Sequence, residues 1–110
     1  MKISYAITVC NEHKEIDKLL TFLFEHKRKE DQVVVQMDAD NSTKEVWDTC
    51  EKYESHSAAE YTLTQYALNK NFAAYKNNLN RQCDGNWIFQ IDADEIPNEY
   101  LIEALPISLG

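Results

Sequence analysis

The sequence predicts an α/β fold, a Rossmann-like, mostly parallel sheet with flanking helices. Three observations lead there. Runs of β-type residues alternate with segments of helical periodicity, and the β runs begin about thirty residues apart, as successive βα units do. The run QVVVQMD at 32–38 is nearly continuous in apolar β-branched residues, as a strand covered on both faces must be. The 110 residues suit one domain, expected to span 1–110 and able to bury a core without disulfides or metals.

KISYAITV (2–9) is the first strand. NEHKEIDKLLTFLFEHKRK (11–29) then sets Ile16, Leu19, Leu20 and Leu23 at i, i+3, i+4 and i+7, the stripe of an amphipathic helix. The second strand occupies 32–38. Ser42 is expected to cap the second helix, with Glu45 three residues on completing a capping box. Val46, Trp47, Cys50 and Tyr53 supply that helix's apolar stripe. AAEYTLTQY (58–66) reads as a third strand. Phe72, Tyr75, Leu79 and Cys83 mark a third helix, which Gly85 is expected to end in the left-handed conformation. NWIFQID (86–92) is the fourth strand; beyond it Pro97 suits a first helical position, and Tyr100, Leu101 and Leu105 a short last helix. Trp47, Phe72, Trp87 and Phe89 are expected in the core.

Composition removes several functions. A net charge of −8 argues against a nucleic-acid partner, because phosphate backbones are bound by basic faces. No apolar run reaches the length of a membrane span, and MKISYAITV lacks the apolar core and cleavage site of a signal peptide. Cys10, Cys50 and Cys83 are odd in number, widely spaced and without a CxxC. They read as reduced thiols, so a cytoplasmic protein is expected. His13, His26 and His56 show no ligand spacing.

One phrase occurs twice, QMDADN at 36–41 and QIDADE at 90–95, each after a β-type run. In an open parallel sheet, ligands bind outside the carboxyl ends of the strands. Three polar clusters are expected at such ends: Thr8 to Glu12, Asp38 to Ser42, and Asp92 to Glu95. With Gly85 and Gly110 the only glycines, neither a G-x-G-x-x-G turn nor a P-loop can form. A phosphate ligand among these acids therefore needs a bridging divalent cation, and carboxylates suit Mg²⁺ or Mn²⁺. Neither phrase is an EF-hand. Counted from Asp38, Thr43 stands at the glycine position and Thr49 at the closing glutamate; counted from Asp92, Ile96 and Pro97 fill positions five and six. A phosphatase with an aspartyl nucleophile would carry its D-x-D after the first strand, where this chain has TVCNE. Cys10 and His13, one helical turn apart, are poorly placed as a nucleophile and base.

Three stretches carry a likeness to a known family. ISYAITVCNE resembles the first strand and nucleotide loop of family 2 glycosyltransferases, which have the GT-A fold. QMDADNSTKEV resembles their acidic loop, often DDGSTD. LNKNFAAYKNNLNRQCDGNWIFQIDADEIP resembles the stretch leading into their DXD motif and is the most specific of the three. The likeness covers nearly the whole chain and corresponds to the N-terminal, nucleotide-sugar-binding half of such enzymes.

The resemblance implies a metal-dependent site, with Mn²⁺ or Mg²⁺, for a UDP-sugar donor such as UDP-glucose. Asp40 matches the aspartate that hydrogen-bonds the uracil ring, with Asp38 as the alternative. Thr8, Cys10, Asn11 and Glu12 match the base and ribose pocket. Lys76 stands where the family often has Arg near the phosphates. Asn71 stands where it commonly has Gly, and Asn tolerates the left-handed turn this implies. Asp92 and Ala93 match the ribose-facing part of the DXD, and Asp94, with Asp92, the metal ligand. The acceptor (sugar, lipid or protein) is unspecified, and the half carrying it and the general base is expected beyond Gly110. Without that half, slow hydrolysis of the donor is the expected activity, and self-association into a homo-oligomer would cover the surface left exposed. Two alternatives stay open: a non-catalytic nucleotide-binding module and a protein-interaction module derived from such a domain.

Overall fold

The computed structural model describes residues 2–54, 60–95 and 99–109, and only the backbone for 99–101 and 108–109. The elements are β1 (Ile3–Val9), α1 (His13–His26), β2 (Gln32–Asp38), α2 (Lys44–Lys52), β3 (Tyr61–Tyr66), α3 (Phe72–Arg81), β4 (Trp87–Asp92) and α4 (Glu99–Leu109). The four strands form one sheet in the order β3-β2-β1-β4, and every pairing is parallel. Each crossover therefore runs through a helix, as parallel neighbours require.

Alternation along the strands gives the sheet two unlike faces. One is apolar. Ile3, Tyr5, Ile7 and Val9 of β1 and Val33, Val35 and Met37 of β2 pack under the α1 stripe, with Val46 and Cys50 of α2 and Ile102 of α4 closing the same cluster. Burying a side chain of this size contributes about 1.5–3 kcal/mol, so this face holds most of the hydrophobic stabilisation. The helical spacing of Ile16, Leu19, Leu20 and Leu23 is what lets one helix cover it.

The other face carries α3 and is largely polar. Leu79 packs on Ala6 and Val34, and three glutamines fasten the rest. Gln36 donates to Tyr75 O at 2.8 Å and accepts from Asn78 Nδ2 at 2.7 Å. Gln32 accepts from Ser4 Oγ at 2.7 Å and from Asp84 N at 3.0 Å, and donates to Gln82 O at 3.2 Å. Gln90 donates to Asn80 Oδ1 at 3.2 Å. The buried amides of Gln32 and Gln36, paired on both their oxygen and nitrogen, fix one register for the helix, whereas each left unpaired would cost stability.

Four expectations are corrected. Thr43, not Ser42, caps α2, accepting from Val46 N at 3.4 Å; Ser42 N donates back to Asp38 O at 3.0 Å and so still belongs to the turn leaving β2. Helix α3 ends at Arg81 with Gln82 in the right-handed region. Gly85 has no positive φ. Its role is close approach: a Cβ there would meet Ser4 Oγ at 2.6 Å and Ser4 N at 2.7 Å, and Gly85 N donates to that hydroxyl at 2.9 Å. Trp87 is 48% exposed, because β4 is an edge strand and Trp87 begins it. Phe72, also expected in the core, is exposed for a reason given below. Trp47 and Phe89 are half-buried against the main cluster, as expected.

The third strand begins at Tyr61; the expected residues 58–59 lie outside the described residues, as do Pro97 and His56. Helix α4 is longer than expected, running over eleven residues, with Leu105 packed against the main cluster. The side chains of Tyr100 and Leu101 lie outside the described residues. Among the described residues, no helix is long and apolar enough to cross a membrane.

Candidate nucleotide site

The chain steps from β1 through β2 to β3 in one direction, and β4 returns to the other side of β1. Where strand order reverses in this way, the loops leaving the two neighbouring strands diverge and open a crevice. Thr8 of β1 and Asp92 of β4 meet in register at that point, and Thr8 Oγ1 donates to Asp92 Oδ1 at 3.0 Å. Ala93 N donates to Thr8 O at 3.0 Å, extending the ladder past the strand end.

A cavity of about 520 Å³ opens above these residues. Thr8, Val9, Cys10 and Glu12 line it from β1 and the loop that follows. Asp38 closes it at the end of β2, with Leu68 from the loop after β3. Tyr75, Lys76 and Phe72 of α3 form a further wall, and Asp92, Ala93 and Asp94 the last.

The two Asp-Ala-Asp turns share a backbone plan. Ala39 N donates to Tyr66 O at 3.1 Å just as Ala93 N donates to Thr8 O, so each turn leaves its sheet one residue after the strand. Their carboxylates differ. Asp38 is buried, and its Oδ1 accepts from Asp40 N at 3.2 Å and Leu68 N at 3.5 Å while its Oδ2 accepts from Asn41 Nδ2 at 2.9 Å. Burial alone would push this carboxyl up, but the bonds from Asn41, Asp40 and Leu68 outweigh it and hold it below the usual carboxylate range. Asp92 and Asp94 are exposed. Among the described residues, no hydrogen bond or ion pair engages the Asp94 carboxylate, while Glu95 Oε1 accepts from Asp92 N at 3.1 Å.

Four carboxylates, those of Glu12, Asp38, Asp92 and Asp94, face one ammonium, Lys76, around the cavity. Lys76 Nζ donates to Gln90 Oε1 at 3.3 Å, an exposed contact that leaves it two further donors. Glu12 folds back so that Oε2 accepts from Cys10 N at 3.2 Å. Burial, then the charges of Asp38 and Glu12, push the Cys10 thiol up, so it stays protonated and is no nucleophile at neutral pH. Tyr75 is pushed up to about 12, chiefly by burial and then by Asp38, and donates to Gln36 O at 3.2 Å.

Of the residues expected to form the site, Thr8, Cys10, Glu12, Lys76, Asp92, Ala93 and Asp94 come together around the cavity. Asn11, Asp40 and Asn71 do not line it; Asn11 and Asp40 are exposed. Asn71 has φ −109 and caps α3, accepting from Ala74 N at 3.1 Å. The left-handed residues are its two predecessors, Asn69 (φ 46) and Lys70 (φ 59). Leu68 carried no signal in the sequence. Phe72 and Tyr75 were visible only as a helical stripe, and the stripe itself held the clue: its first turn lies beyond the strand ends.

Asp92 and Asp94 fit a divalent cation as hard oxygen donors with open valences. Among the described residues, no group of three or more His, Cys, Asp and Glu side chains is arranged to hold a metal.

An all-parallel α/β sheet with carboxylates gathered at its switch point has the architecture of the GT-A folds. The chain belongs to glycosyl transferase family 2, whose model matches residues 4–105. Several solved structures share the fold. S. aureus TarS 1–349 is 24% identical with a TM-score of 0.82, over 97% of this chain and 32% of that one. TarS 1–349 in complex with UDP is 25% identical with a TM-score of 0.79, over 99% of this chain and 31% of that one. The mannosyltransferase PcManGT from Pyrobaculum calidifontis, in complex with GDP-Man and Mn²⁺, is 24% identical with a TM-score of 0.78, over 94% and 31%. The chain thus spans about a third of the length of these structures, and corresponds to their N-terminal part. Comparison with curated proteins finds no match.

Proposed function

We propose that this chain is the donor-binding unit of a glycosyltransferase: it holds a nucleotide-sugar, a UDP-sugar such as UDP-glucose, through a Mn²⁺ or Mg²⁺ ion. The observation that carries this reading is the cavity at the switch point, where four carboxylates stand against one lysine. A diphosphate placed there without a cation would meet strong repulsion; with one, repulsion becomes coordination. Family membership supports glycosyl transfer, and a relative by fold, TarS, binds UDP.

In this reading Asp94 and Asp92 would hold the cation, and Thr8 orients Asp92. Lys76 turns from Gln90 to the phosphates. Asp38 takes the base N–H, since it lines the cavity and Asp40 does not. A cation held there would supply Lewis-acid stabilisation of charge on the departing UDP. With water as the acceptor, slow hydrolysis of UDP-glucose is an activity this reading expects.

Calorimetric titration of UDP and UDP-glucose, with and without Mn²⁺, tests the proposal. Metal-dependent binding is the expected result. Absence of binding for both ligands under every metal condition would sink it.

A further inference from the structure

Large apolar side chains left exposed among the described residues include Phe72, Trp87, Ile88 and Ile107. Phe72 alone of these lines the cavity, and at 66% exposure it stands freest of the cavity's apolar side chains. Its position follows from helix geometry. Residues 72, 75, 76 and 79 share one face of α3, which descends from the cavity to the sheet. Leu79 rests on Ala6 and Val34, Tyr75 reaches the strand ends through its bond to Gln36 O, and Phe72 lies a turn further out, where no strand remains to cover it.

The backbone before Phe72 is costly to form. Asn69 and Lys70 are consecutive left-handed residues without glycine's freedom, a conformation that persists only where its surroundings impose it and that gathers at ligand sites. Here Asn71 N donates to Leu68 O at 2.8 Å, and Asn71 caps the helix so that Phe72 is its first residue. The other aromatic ring lining the cavity, Tyr75, is buried and packs on Tyr66 at 6.4 Å between centroids.

We infer that Phe72 is the platform on which the base of the bound nucleotide stacks, while Asp38 meets the base's edge. The inference rests on the nucleotide reading above and adds a recognition residue to it. A flat apolar ring at the mouth of a charged cavity suits a ligand with a π face at one end and phosphates at the other, and stacking of this kind tolerates any base.

The test is titration of UDP with Mn²⁺ into the unaltered protein and into Phe72→Ala, Phe72→Leu and Phe72→Trp. Thermal melting serves as the folding control, since so exposed a ring contributes little to the core. Roughly ten-fold weaker binding is expected for Phe72→Ala and nearly as much for Phe72→Leu, with Phe72→Trp close to the unaltered protein. The indole gained in Phe72→Trp should be quenched by UDP and not by inorganic pyrophosphate with Mn²⁺. Trp47, which does not line the cavity, and Trp87, at the opposite end of β4, leave the unaltered protein without that base-dependent signal. Phe72→Ala binding within about two-fold of the unaltered protein, or full recovery in Phe72→Leu, would overturn stacking while leaving the nucleotide site standing. Failure of the unaltered protein to bind UDP would remove both.

Discussion

The turn after β2 and the turn after β4 carry the same three letters, Asp-Ala-Asp, and leave the sheet by the same backbone step. They differ in what surrounds the first carboxylate. Asp38 ends a strand paired on both sides, between β1 and β3, and its oxygens are taken up by its own loop and by Leu68. Asp92 ends an edge strand, and of its side-chain neighbours Thr8 supplies the one hydrogen bond recorded to its carboxylate among the described residues. A carboxylate at the sheet's centre is built into its loop and can offer a ligand at most a hydrogen bond, whereas one at its edge keeps oxygens open to a cation. Strand position, more than sequence, separates the two phrases.

The sharpest way to break that contrast is Asp94→Ala. Asp94 is exposed and engages no described residue, so the melting temperature should hold. Mn²⁺-dependent UDP binding should fall by at least about 100-fold, because even residues that merely support metal ligands are worth ~10–100-fold. Calorimetry reads both the loss and its metal dependence; unchanged affinity would move the metal away from this turn.

Asp38→Asn, unlike Asp94→Ala, should cost stability. Neutralising the carboxylate weakens its bonds from Asp40 N, Leu68 N and Asn41 Nδ2, an expected loss of about 1–3 kcal/mol in urea unfolding at pH 7. The sign with pH follows from the depressed carboxyl. Its contribution is fully present above the unfolded value of about 4 and disappears as pH falls through the lower folded value. The gap between the unaltered protein and Asp38→Asn should therefore close in strongly acid solution. A gap independent of pH would mean that shape, not charge, holds the turn.

Much of this was legible in the chain. The order of elements, the α1 stripe and the two-sided burial of β2 follow from periodicity, which local sequence records directly. Seven of the expected cavity residues also came together, because strand ends in a parallel sheet gather on one edge. The readings that failed depend on where an element stops relative to its neighbours. Phe72 fits a core stripe by spacing, and only its overshoot of the sheet exposes it. Gly85 follows a helix as a left-handed cap would, yet it serves Ser4 across 81 residues of separation. Asp38 closes the strand and is buried while Asp40 stands in the turn beyond it, and where the strand stops is what a single sequence hides.

Thr8→Val tests the edge-strand side more gently. The substitution keeps the shape of the side chain and removes the donor to Asp92 Oδ1. Freed, Asp92 samples other rotamers, and Mn²⁺–UDP affinity should drop by about ten-fold, the lower end for a residue supporting a metal ligand. Titration of uridine, which has no phosphates to need the metal, should be unaffected, which separates an oriented ligand from a lost pocket wall.

Asp40→Ala carries the smallest expected effect and the most direct information on the first turn. Asp40 is exposed, outside the cavity, and its part in the loop is its backbone N–H to Asp38, which alanine retains. Stability should stay within about 0.5 kcal/mol, as for surface substitutions away from special features, and UDP affinity within about two-fold. The family resemblance admits either acid as the reader of the base, so this variant decides between them. A clear loss of affinity for UDP, with binding of inorganic pyrophosphate and Mn²⁺ unchanged, would assign the base to Asp40. The loop would then have to move on binding, and Asp38 would be left as the residue that anchors it.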